Sequence, residues 1–109
     1  MNEKRKIRAA EKELILFLLK QLTLTPEEYP IKEDVIEYEG GVMGSISMGE
    51  NADDYAGDLI QVEYIDSDNI PVVITLTKDK NNQLLDLDFW KTDFSKLITY
   101  PKPEQVVVM

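Results

Sequence analysis

Apolar residues fall at Ile7, Ala10, Leu14, Phe17 and Leu18, with Arg8, Glu11, Lys12 and Lys20 off that stripe. The three- and four-residue spacing predicts an amphipathic helix over residues 3–22, its apolar face widened at the end by Ile15, Leu19 and Leu22. Two prolines in residues 23–30 then break the periodicity and suit a loop. Beyond them the period changes to two. Residues 35–39 and 42–48 read as a hairpin turning at Gly40-Gly41, and Gly44 inside the second arm implies a bulge or a close backbone approach. Residues 49–57 form a polar connection. In residues 59–65, 70–77 and 85–90 apolar positions alternate with polar ones, which predicts a three-stranded antiparallel meander. Asp93-Phe94-Ser95 resembles a cap opening a helical turn through Leu97, and the tail ends in Val106-Val107-Val108-Met109, a run fit for a last edge strand.

The elements add up to an α+β fold in which the N-terminal helix packs on one face of an antiparallel sheet of about five strands, one domain spanning residues 1–109. The helix should cover the aliphatic rows. The opposite face would carry Glu63, Thr75, Thr77, Asp86, Asp88 and Trp90, open to water or to a partner.

Composition narrows the chemistry. The 109 residues contain no cysteine and no histidine, which removes disulfides, thiolate sites and most hydrolase and metalloenzyme designs. The basic start and the apolar run of residues 14–19 look briefly like a secretion signal. Glu11 and Glu13 interrupt it, and the run is too short for a membrane span. A cytoplasmic protein of bacterial type is expected, with no membrane and no direct nucleic-acid contact.

The net charge of −9 is uneven. Lys4, Arg5, Lys6, Arg8, Lys12 and Lys20 make the first 26 residues basic, whereas residues 27–68 are strongly acidic with Lys32 as their single base. Such a field repels nucleic acid and attracts basic partners, although an acidic surface also simply keeps a protein in solution.

Other chemistry is thinly supported. Asp86 and Asp88 project from one face of a strand at roughly 7 Å spacing, a geometry compatible with metal binding or paired-carboxylate catalysis, but alternating polar residues are common in strands. Residues 66–69 lack the glycine and glutamate that a calcium loop needs, and the glycines at 40, 41 and 44 lack the lysine of a phosphate loop. Neither a catalytic centre, a cofactor nor a metal is expected.

Three segments carry a resemblance: Glu11-Lys12-Glu13-Leu14-Ile15 followed by Leu18-Leu19, Gly41-Val42-Met43-Gly44-Ser45, and Leu85-Asp86-Leu87-Asp88-Phe89-Trp90-Lys91 running into Asp93-Phe94-Ser95 and Leu97. In this order they resemble a family of small bacterial domains of unknown function, similar to immunity proteins of polymorphic toxin systems, including contact-dependent growth inhibition. The resemblance implies a cytosolic inhibitor that binds a cognate basic toxin domain, an RNase or DNase, and occludes its active site. It implies no catalytic residues. The residues expected to meet that partner are Glu37, Glu39, Asp53, Asp54, Asp58, Glu63, Asp66 and Asp68 as steering acids, with Tyr55 and Trp90 as desolvated anchors. Two readings stay beside it: a small carboxylate-dependent enzyme using Asp86 and Asp88, and a structural or oligomerisation module pairing through its valine-rich tail.

Overall fold

Val62, Ile74 and Phe89 lie side by side on three neighbouring strands, each at most 2% exposed, and mark the middle of a single sheet. The computed structural model describes residues 4–38, 43–49 and 52–109. Its strands are β1 (Lys4–Lys6), β2 (Asp34–Glu37), β3 (Ile46–Ser47), β4 (Tyr55–Ile65), β5 (Pro71–Asp79), β6 (Leu84–Lys91) and β7 (Val107–Val108), with one α-helix, α1 (Ala9–Gln21). Every pairing is antiparallel, and the order across the sheet is β1-β2-β3-β6-β5-β4-β7. The fold is α+β with the N-terminal helix on a sheet, as the periodicities imply, but among the described residues the sheet has seven strands rather than about five.

The helix buries Leu14, Ile15, Leu18 and Leu19 in the same cluster as Val62, Ile74, Leu76, Leu87 and Phe89 from the sheet. Each such side chain contributes roughly 1.5–3 kcal/mol on leaving water. The helix starts at Ala9 because Glu11 closes its first turn, its Oε1 accepting from the Arg8 N–H at 2.8 Å. It ends in a Schellman turn: Leu24 N–H donates to Leu19 O at 2.9 Å and Thr23 takes φ +60°.

The expected helical start at residue 3 is corrected. Lys4–Lys6 is an edge strand instead, paired with β2 in the register Arg5 to Val35. A run of three bases has no apolar side chain to give a packed helix face, whereas an extended edge sets Arg5 against Glu11, with two bonds of 2.9 and 2.7 Å. The helical turn expected over residues 93–97 also does not form. Asp93 Oδ1 instead accepts from the Ser95 N–H and hydroxyl, and Phe94 adopts φ +62°.

The meander matches its predicted positions closely, with β4 beginning earlier, at Tyr55, through two bulges. The tail does return as an edge strand, Val107 pairing with Glu63. Gly44 has φ +93°, and a β-carbon there would lie 3.0 Å from Leu97 Cδ2, so left-handed backbone and close approach both require glycine. The expected turn at Gly40-Gly41 lies outside the described residues. Among the described residues, no helix is long and apolar enough to cross a membrane.

Candidate functional site

Antiparallel register sorts the side chains onto two faces, because directly paired residues point the same way. On the helix side run Ile60, Leu76, Leu87 and Ile46; on the free side Asp58 pairs with Thr77, Gln61 with Thr75, and Glu63 with Val73. The free-side rows continue into β6 through Thr75 to Asp88 and Val73 to Trp90. Asp86 pairs with Ser47 and takes its place beside Thr77, its N–H donating to Thr77 Oγ1 at 3.0 Å. Tyr55 opens this face at one end, its hydroxyl donating to Asp58 at 2.6 Å.

The free face therefore gathers Asp58, Glu63, Asp86 and Asp88. Among the described residues none of these four carboxylates forms an ion pair; cations that do are engaged elsewhere. Asp86 is the most enclosed of them. Burial pushes its carboxyl above the ordinary range, with the charge of Asp88 acting the same way, while hydroxyl bonds from Tyr38 (2.9 Å) and Ser47 only partly offset the effect. Burial likewise raises the Tyr38 phenol.

Next to the acids the face turns apolar. Trp90 is 46% exposed and Phe94 72%, their ring centroids 6.2 Å apart at 52°. Between this pair and β3 lies a cleft of about 300 Å³ lined by Tyr38, Met43, Ser45, Asp88, Trp90 and Phe94. Ser45 fixes its floor: the Oγ accepts from the Phe89 N–H at 2.8 Å and sits 3.0 Å from Asp88 Oδ1.

The expected acids scatter over this architecture. Asp58, Glu63, Tyr55 and Trp90 do share the free face. Asp53 and Asp54 occupy the 3-10 turn Ala52–Asp54 that leads into β4. Glu39 lies outside the described residues. Glu37 is on the helix side, its carboxylate 3.1 Å from Arg5 Nε and 3.7 Å from Arg8.

Asp66 is corrected from surface acid to buried anchor. Its side chain is sealed and accepts from Lys91 Nζ at 2.9 Å and from the N–H groups of Ser67, Ile98 and Thr99. Burial alone would raise its pKa, but these donors outweigh that and hold it at about 2. Asp68 closes the same network, 2.7 Å from Lys91 Nζ. Further pairs, Lys6 with Asp34 and Lys12 with Glu33, neutralise more of the acidic run. The contiguous charge of residues 27–68 is thus divided in space.

Asp86, Asp88, Tyr38 and Phe94 were not among the expected partner residues. The i, i+2, i+4 spacing of Asp86, Asp88 and Trp90 does set all three on the face expected to be open, whereas Tyr38 and Phe94 carry no such signal. Among the described residues, no group of three or more carboxylates is placed to hold a metal ion.

A family model described as a domain of unknown function, DUF6984, matches residues 4–101. No curated protein and no solved structure matches the chain.

Proposed function

The chain belongs to the DUF6984 family, and we propose that it works by binding a cationic protein through the free face of its sheet, as an immunity protein neutralising a basic toxin domain. One observation carries this reading: among the described residues, carboxylates without ion-pair partners (Asp58, Glu63 and Asp88) share one sheet face with the exposed rings of Trp90 and Phe94. Aromatic anchors ringed by charge are the usual composition of an energetic interface centre. The toxin class that suits it is a nuclease, whose substrate cleft must be cationic to hold phosphate. An acidic surface competes for such a cleft by electrostatic steering and charge-assisted hydrogen bonds.

The direct test pairs this protein with any basic C-terminal domain of a secreted protein that its neighbouring genes encode. Nanomolar binding that weakens with salt, together with loss of nuclease activity in the complex, is the expected outcome. Absence of binding, or binding that leaves nuclease activity untouched, would remove the inhibitor role.

A second reading has its own observation: Asp86, with its raised pKa, stands one strand position-pair from Asp88 and accepts from Tyr38, an arrangement able to move protons. A pH-dependent hydrolysis abolished in both Asp86→Asn and Asp88→Asn would favour it over binding.

A further inference from the structure

We infer that the cleft between Trp90, Phe94 and Asp88 is a socket for one arginine side chain of the partner. This rests on the binding role proposed above and specifies where, and by what chemistry, the contact is made. The cleft is about 300 Å³, and its contents are complementary to a guanidinium rather than to a generic apolar group. Trp90 and Phe94, packed on each other at 52° and 46% and 72% exposed, supply aromatic surface on which a planar cation can stack. Asp88 is exposed on the same strand face two residues from Trp90, which places its carboxylate about 7 Å along the strand, within reach of a cation stacked on the indole.

The carboxylate is also oriented in advance. Ser45 donates to one Asp88 oxygen at 3.0 Å while being held by the Phe89 N–H, so that among the described residues the second oxygen is left to accept from the incoming group. Behind it the charge of Asp86, itself bonded to Tyr38, adds to the negative potential of the socket. Arginine is selected over lysine because its planar, weakly hydrated group stacks on rings and offers several donors in a fixed fork; a compact ammonium gains less from the aromatic walls.

The first arm of the test needs no toxin. Trp90 is the single tryptophan of the chain, so its fluorescence reports on the socket directly. Titration with N-acetyl-arginine amide should give a saturable change with a dissociation constant in the millimolar range, weakening as salt rises. The uncharged isostere N-acetyl-citrulline amide should give none. Asp88→Asn keeps an acceptor for Ser45 and so should remain folded by circular dichroism, yet weaken arginine-amide binding about fivefold or more. Phe94→Ala should weaken it comparably while leaving the tryptophan in place.

An equal response to the citrulline compound, or none to the arginine compound, would overturn the inference. So would toxin-domain binding that persists unchanged in Asp88→Asn, which would leave the wider binding role standing. A positive arginine titration with no toxin-domain binding would sustain the socket and refute the inhibitor.

Discussion

Lys91 Nζ lies 2.9 Å from Asp66 Oδ2, across 25 positions of sequence, with the two side chains 1% and 0% exposed. Asp68 at 2.7 Å and the Lys96 carbonyl at 2.9 Å complete the environment of the ammonium. Burial opposes the lysine charge, but both carboxylates support it and its pKa is raised. This cluster pins the β4–β5 turn to the end of β6 and to residues 98–99. Removing Asp66 leaves the buried Lys91 ammonium with Asp68 as its one carboxylate partner and takes the acceptor from the N–H groups of Ser67, Ile98 and Thr99. Asp66→Ala should therefore destabilise by about 3–5 kcal/mol, a fall in melting temperature of well over 10 °C for a domain of this size. Urea unfolding measures it; a loss below about 1 kcal/mol would mean that water reaches the site.

The pH profile of stability should have a maximum on the acid side of neutrality. Asp86 has a raised folded pKa, so the native state takes up its proton at higher pH than the unfolded chain does. Stability rises as pH falls through that value and stops rising below the unfolded carboxylate range near pH 4. Asp66 works in the opposite sense. Its folded pKa of about 2 lies below the unfolded value, so its contribution is complete above roughly pH 4 and is lost as pH falls towards 2. Unfolding midpoints recorded between about pH 7 and pH 2 should climb and then collapse. In Asp86→Asn the climb should vanish while the collapse stays.

Much of the fold is legible in the sequence. The β4–β6 meander is clean because Ile60, Val62 and Tyr64, then Val72, Ile74 and Leu76, alternate without interruption under a helix that needs an apolar floor. β1 was not legible, since Lys4-Arg5-Lys6 carries no hydrophobic period and becomes a strand only because Val35 and Glu11 wait for Arg5. Charge was the least transferable signal. Glu33, Asp34 and Glu37 look like part of an acidic block in sequence, but β1–β2 pairing and the helix start set them against Lys12, Lys6 and Arg5. Sequence counts charges along a line, while pairing depends on which strands become neighbours. For the same reason Asp86 and Asp88 lie in a segment of balanced charge along the sequence and yet stand on the acidic face of the sheet.

Phe94 points to a trade between stability and binding. A bulky residue at φ +62° costs on the order of 1 kcal/mol in backbone strain, and its ring is left largely in water. Phe94→Gly should relieve that strain and leave the Asp93–Ser95 turn intact, making the protein about as stable or up to ~1 kcal/mol more so. The same variant should lose affinity for a cationic partner. A lower melting temperature would show instead that the contact with Trp90 outweighs the strain.

The division of the acids gives a sharper prediction than net charge does. Asp58 and Glu63 stand on the free face without ion-pair partners among the described residues, whereas Glu37 is shared by Arg5 and Arg8 on the other side. Reversing Asp58 and Glu63 to lysine changes the field that a basic partner meets, so association should slow by about tenfold at low salt and its salt dependence should flatten. Stability should move by no more than about 0.5 kcal/mol, because exposed strand positions tolerate such changes. Glu37→Gln alters net charge by one but removes an acid already neutralised; it should leave the association rate almost unchanged and lower stability by about 1 kcal/mol as Arg5 loses a partner. Stopped-flow association across a salt series separates the two. Equal slowing by both substitutions would mean that the partner senses total charge rather than this face, and the sheet surface would lose its claim to be the interface.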